Sequence, residues 1–255
     1  MSNAVRPVLY SEWIKVRSTL GTLTTLPLGV AVSLTLALLG GLSTRNAIDH
    51  KSAMLMPGFN PVNSGFTGVL YGNLAFVVFA VLVFSSEFTT GMIRSSLAAV
   101  PRRGLFYLSK LAVVAAVVVL VGGATVVGSF ALTEAALGPH GVALSDAVVP
   151  RALLGGVAYV TLLGVFSAGV AAMLRSTGLA LGILMPLYFV VSPALGTISG
   201  TRPVARFLPD QAGMRAMMAT AGGGDLTAAQ GILVLLGWTV LAVAGGYWLL
   251  RRRDA

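Results

Sequence analysis

Apolar and polar positions along this chain are arranged in long blocks. Six runs of about 20 mostly apolar residues, the length at which a helix crosses a bilayer core, are predicted to be spans over 23–42, 67–84, 105–132, 151–174, 179–198 and 231–250. Two stretches show a helical period instead. Within residues 6–18, Leu9, Tyr10, Trp13, Ile14 and Val16 share one helical side, Ser11, Glu12, Lys15 and Ser18 share the other, and Arg17 sits at the edge of the apolar arc, close enough to snorkel. That pattern predicts an interfacial helix lying flat on the membrane, with Tyr10 and Trp13 at headgroup level. After the second run, Phe88, Met92, Ile93, Leu97 and Val100 face one way, and Glu87, Thr90, Gly91, Arg94 and Ser95 the other. The spacing predicts one amphipathic helix over 86–100, capped by Ser85 or Ser86, with Glu87 at the positive end of its dipole and Pro101 at its close.

The connections add detail. The segment 43–66 carries Arg45, Asp49 and Lys51, then Met54, Leu55, Met56 and Phe59, apolar enough to lie against the outer membrane surface. The fifth span holds Pro186 and Pro193, which predicts kinks or an interrupted helix as possible gate points, with a simple packed kink as the alternative. Segment 199–230 is the longest outer loop, and its Met214, Met217 and Met218 suit a short apolar helix dipping into the outer leaflet. The fourth span returns through a short turn at Arg175, Ser176, Thr177 and Gly178, so a helix-length excursion is not needed merely to reverse the chain. The stretch 86–100 is therefore read as a contact surface for a cytoplasmic partner.

Composition sharpens the class. Of 255 residues 56% are hydrophobic and only 10% charged, with a mean hydropathy of +0.89, whereas a soluble domain carries roughly 25% charged residues. The expected fold is an all-α integral membrane protein, a single domain over 1–255. The net charge of +9 flanks the spans and does not form a basic face, which argues against nucleic acid as a partner and for the positive-inside rule. With both termini cytoplasmic, the inner segments hold eleven basic residues (Lys110 among them) and the outer loops six. The Ala-, Gly-, Val- and Leu-rich, lysine-poor composition suggests a high-GC bacterium, so the expected location is the bacterial plasma membrane, in contact with its lipids.

Chemistry is mostly excluded. Cysteine is absent, and the two histidines, His50 and His140, fall in loops, so no metal or catalytic centre is expected. No phosphate-binding loop, nucleophile elbow or zinc-protease motif occurs. The chain is not expected to be an enzyme, nor to bind a cofactor. The apolar cores are read as free of Asp, Glu, Lys, Arg and His, which counts against an ion-coupled secondary carrier. Small residues such as Gly122, Gly123, Gly128, Gly155, Gly156, Gly164, Gly182, Gly237, Gly245 and Gly246 are read as packing points. Tyr71, Phe76, Phe79, Tyr159, Phe166, Tyr188 and Phe189 are compatible with a lipophilic path and with plain core packing. No substrate residue is assigned from them.

The order of these features resembles ATP-binding-cassette permeases of the ABC-2 type. The match rests on Glu87, Phe88, Gly91, Arg94, Pro101 and Arg103 after the second span, on Glu12, Trp13, Lys15 and Arg17 in the opening helix, and on Leu208-Pro209 before the last. Met92 departs from the pattern, where many relatives carry a small polar residue. The resemblance implies a permease subunit of an exporter that moves a hydrophobic or amphipathic molecule outward. It implies a second permease copy, alike or different, and separate ATPase subunits that hold ATP and Mg and receive the 86–100 helix in a cleft. It also implies that spans two and five line the dimer seam, with Pro186 and Pro193 helping an outer gate to open. The alternatives are a membrane scaffold or assembly factor that binds a partner through 86–100, and an ion-coupled carrier.

Overall fold

The computed structural model describes residues 2–50, 60–143, 146–219 and 225–252. Every regular element among them is helical. Helix α1 (Ser2–Ser18) precedes α2 (Leu20–Asp49), the first span; a one-turn α3 (Pro61–Ser64) leads into α4 (Thr67–Thr89), the second. A short α5 (Met92–Ala99) joins it to the third span, in which α6 (Arg103–Val117) and α7 (Gly123–Leu137) are linked by a π turn, Val118–Gly122. Helix α8 (Val148–Leu174) is the fourth span. The fifth is α9 (Thr177–Pro186), a second π turn Leu187–Val191, and α10 (Ser192–Thr197). Two short helices, α11 (Arg202–Ala205) and α12 (Pro209–Met214), lead through a 3₁₀ turn, Arg215–Met217, to the last span, α13 (Ala228–Arg252).

Six of these segments are long and apolar enough to cross a membrane, and the chain is a multi-pass membrane protein. The helices outrun the sequence estimates: α2 continues to Asp49, the third span to His140, and α4 to Thr89. At 1.5 Å per residue α2 is about 45 Å long, well beyond a hydrocarbon core of about 30 Å. Its end is tied to that of the third span, where the His140 ring lies 2.9 Å from the Asp49 carboxylate. Met54, Leu55, Met56 and Phe59, expected at the outer surface, lie outside the described residues.

The second, third and fourth spans form the interior, with 61%, 50% and 56% of an 18-residue apolar stretch of each buried, against 22%, 17% and 22% for the first, fifth and sixth. Lipid tails are as apolar as leucine, so close backbone approach and interhelical hydrogen bonds hold such a bundle. Helix α2 meets α4 where Gly68 and Gly72 face Ser33 and Ala37, and any Cβ there would overlap them. On its other flank the Thr133 hydroxyl donates to the Ala37 carbonyl at 3.1 Å, and Gly41 abuts Thr133 and Ala136. Thr133→Val is expected to lower stability by about 0.6 kcal/mol, read as a small drop in the unfolding midpoint of the protein in detergent. Gly122, Gly155, Gly156 and Gly246 do sit at tight packing points, while Gly182 and Gly237, read as equivalent to them, face open space.

Both prolines of the fifth span border its interruption. Pro186 ends α9, Pro193 lies in the first turn of α10, and the π turn falls between them. Proline lacks an N–H and crowds the carbonyl four residues earlier, so the ladder is broken there on both sides. The π turn of the third span has no proline and was not foreseeable on that ground.

Candidate functional site

Four charged side chains converge where α4 ends and α6 begins. Glu12 and Lys15 come from α1, Glu87 from the last turns of α4, and Lys110 from the second turn of α6. Lys15 Nζ lies 2.7 Å from Glu12 Oε1 and 2.8 Å from Glu87 Oε1. Lys110 Nζ lies 2.8 Å from that same Glu87 oxygen and pairs with the other oxygen of Glu12. The α5 hydroxyl of Ser96 accepts a further hydrogen bond from Lys15 at 3.1 Å. Glu12, Glu87 and Lys110 are each only 2% exposed. Two cations and two anions cancel and each ammonium finds two carboxylates, which offsets the burial of the charges, while the second Glu87 oxygen, Oε2, is buried without a hydrogen-bond partner. Phe106 packs 5.3 Å below Lys110 and 5.6 Å below Lys15, adding a π face to the enclosure. Burial works against the charge of Lys15, but hydrogen bonds and attraction from Glu12 and Glu87 outweigh it and hold its pKa above the ordinary lysine value. It stays protonated throughout the physiological range.

This arrangement corrects three expectations. First, Lys110 is buried within a span, so the spans are not free of charge. Counting it with the cytoplasmic residues overlooked that α6 begins at Arg103, about 10 Å earlier along the helix. Second, the side of α1 turned to the bundle is Val8, Glu12 and Val16 with Lys15, whereas Tyr10, Trp13 and Ile14 are exposed. The helical wheel was right about two faces, but the polar one has ionic partners inside. Third, 86–100 is not one helix. Ser85 and Glu87 belong to α4, where Ser85 hydrogen-bonds the Val81 carbonyl instead of capping a start, and Glu87 stands near a helix C-terminus, not an N-terminus. Gly91 adopts φ +72°, the left-handed conformation that a residue without Cβ takes readily. It stops α4 and restarts the chain as α5.

The remaining residues of the motif spread around this junction. Phe88 stacks under the Arg175 guanidinium at 5.2 Å, linking α4 to the turn between the fourth and fifth spans. The Arg103 guanidinium donates to the Leu250 carbonyl at 2.9 Å, linking α6 to the end of α13. Pro101 lies between α5 and α6. Helix α5 is held by Ile93, which is 4% exposed, by Leu97 packed against the core, and by Ser96, while Met92, Arg94, Ser95, Ala98 and Ala99 point away from the bundle. Arg17 is also exposed, its guanidinium 5.9 Å from the Trp13 ring. Sequence reasoning missed Lys110 and Ser96. A signal was present: Glu12, Lys15, Glu87 and Lys110 balance in sign, and all fall beside predicted span ends on the same side.

A second feature lies at the other end of α4. Asn73 is about 21 Å from Glu87 along the helix and borders a cavity of about 470 Å³. Tyr159 and Leu163 of α8, Tyr188 and Phe189 of the π turn, Pro193 and Thr197 of α10, and Asp210 and Gln211 of α12 complete its wall, with Tyr71 and Phe189 exposed at its rim. Asp210 is 3% exposed and accepts hydrogen bonds from Ser192 at 2.7 Å and Gln211 at 3.2 Å. No basic side chain among the described residues pairs with it. Burial pushes its carboxyl above the usual carboxylate range, opposed by the side-chain hydrogen bonds from Ser192 and Gln211 and by backbone N–H groups of Gln211 and Asp210. The Asn73 carbonyl oxygen is buried with no hydrogen-bond partner. Segment 199–230, expected as the longest outer loop with a short apolar helix at its methionines, does carry a short helical stretch over 209–217, but that stretch packs against α8 and α13 with Asp210, Ala212, Ala216 and Met217 buried.

Among the described residues no cluster of side chains is suited to hold a metal ion. Compared with known proteins, the chain matches no protein-family model and no curated sequence.

Proposed function

We propose that this chain is the permease subunit of an ATP-driven exporter. In this proposal a separate nucleotide-binding subunit docks on the cytoplasmic face of α5 and a second permease copy completes the pathway. The observation that carries the reading is the four-charge junction. It fastens α1, the end of α4, α5 and the start of α6 to one another. A force applied to the outward-pointing face of α5 would therefore move two spans and the flat helix together instead of bending a loop. A helix of 8 residues held along one side by Ile93, Leu97 and the Ser96 hydroxyl, with its arginine left exposed on the other, is a suitable handle for a soluble motor. The bacterial plasma membrane, cytoplasmic termini, and spans two and five at the dimer seam belong to the same proposal, as does a role for Pro186 and Pro193 in an outer gate. The fifth span is the least buried of the six, which leaves room for a neighbouring chain.

The test is purification from native membranes in mild detergent, with ATPase activity assayed on the bound fraction. It is run for wild type and for Arg94→Glu and Ala98→Glu, which alter the exposed face of α5 without touching the ionic junction. An ATP-hydrolysing subunit that accompanies wild type and falls by about tenfold or more with either variant, as expected for a central contact, supports the proposal. Equal recovery without ATPase activity in all three samples overturns it and favours a scaffold or ion-coupled carrier.

A further inference from the structure

The cavity beside Asn73 and Asp210 holds two unmet demands, a counter-charge for one side chain and a donor for the other. Asp210 presents a buried carboxylate with which no basic side chain among the described residues pairs, although a buried anion is expensive unless paired. Asn73 presents a buried carbonyl oxygen that accepts nothing, and such an orphaned acceptor is costly. Both line one space, on different helices, and a protonated amine answers both, with its positive charge for Asp210 and an N–H for Asn73. The other walls are tyrosine rings and aliphatic side chains: Tyr159 and Tyr188 are almost wholly buried, and Leu70, Leu74, Val77 and Leu163 surround them. Aromatic faces attract cations, and aliphatic walls take up an apolar body. At about 470 Å³ the cavity falls within the usual range for small-molecule sites.

We propose that this cavity binds a protonated primary or secondary amine with an apolar body, its N–H groups directed to the Asp210 carboxylate and the Asn73 oxygen. An anionic amphiphile is excluded by Asp210. A quaternary ammonium has the charge but no N–H for Asn73, so it binds less tightly than its primary counterpart. A neutral alcohol can donate one hydrogen bond but cannot offset the buried charge. As a statement about what is exported, the inference rests on the permease reading; as a statement about binding it does not. A free amine and an aminophospholipid headgroup both supply such an ammonium, and the chemistry presented to the two side chains is the same.

The experiment is equilibrium dialysis of radiolabelled 4-phenylbutylamine against the protein in phosphatidylcholine nanodiscs, with empty nanodiscs subtracted. The competitors are 4-phenylbutyltrimethylammonium, 4-phenylbutanol and 4-phenylbutyrate. Saturable binding of the amine, displaced weakly by the trimethylammonium and not by the alcohol or acid, is expected. Asp210→Asn, which keeps an acceptor for Ser192, is expected to weaken the amine by about tenfold or more. Asn73→Leu is expected to weaken the primary amine several-fold and leave the trimethylammonium compound unchanged. Nanodiscs containing phosphatidylethanolamine then identify the source: competition with the amine points to the lipid headgroup, and its absence to a free amine. Amine binding no tighter than that of the alcohol, or unchanged by Asp210→Asn, overturns the inference. Should a variant not fold, the competitor series on wild type decides alone. No ATPase is required in this assay, so its failure leaves the permease proposal standing, and loss of the ATPase in the pull-down leaves the amine site standing.

Discussion

Glu87→Gln is expected to destabilise the protein by about 3–5 kcal/mol, the usual cost of removing one partner from a buried charge network. Glu87 Oε1 receives both Lys15 and Lys110 at 2.8 Å, and of the junction's two carboxylates it is the one contributed by a span. Without it two ammonium groups share Glu12 alone, and a net positive charge remains where Lys110 is only 2% exposed. Lys15, about one quarter exposed, can turn toward water, but Lys110 is fixed by α6 and has no such route. The double variant Glu87→Gln/Lys110→Met removes one charge of each sign and leaves the Glu12–Lys15 pair, so it is expected to recover most of the loss. Unfolding midpoints in detergent for wild type, both single variants and the double variant close a cycle that isolates the coupling. Additive losses would show that the two side chains do not sense one another and would remove the junction as a structural unit.

That junction marks the boundary of what was legible in the chain. Six spans follow from hydropathy because the bilayer imposes one length on every crossing helix, and no tertiary contact is needed to read them. The two faces of α1 were equally visible, yet assigning Glu12 and Lys15 to solvent required assuming that polar means outside. In a membrane protein the polar face can be the inner one when a partner of opposite charge waits there, and that partner lies 72 positions away for Lys15 with Glu87. The break at Gly91 was hidden for a different reason. The periodicity of Phe88, Met92 and Ile93 carries smoothly across it, and only the left-handed φ of the glycine reveals that two helices meet. The cavity was the least legible feature. Asn73 is a single polar residue in an apolar run, and Asp210 sat in what read as a loop; nothing local places them on one wall.

Gly155→Leu is expected to cost about 3 kcal/mol, the upper end for overpacking, because what obstructs the new side chain is backbone. A Cβ at Gly155 of α8 would overlap the Ala216 carbonyl, and one at Gly231 of α13 would overlap the Ala212 carbonyl. These two glycines grip the 209–217 segment from opposite sides, and Gly213 within it lies against Tyr159 and Leu235. A flexible neighbour could rotate aside; a carbonyl moves only if the whole segment lifts. Lifting it displaces Asp210, Gln211 and Met214, three residues of the cavity wall. The variant should therefore lose stability and amine binding together, while Gly237→Leu, whose Cβ meets nothing within 4 Å, should change stability by less than about 0.5 kcal/mol. Melting in detergent and dialysis of 4-phenylbutylamine on the same preparations would check both halves. If Gly155→Leu melts like Gly237→Leu, α8 does not clamp the segment, and the cavity wall must be held from α13 and α10 alone.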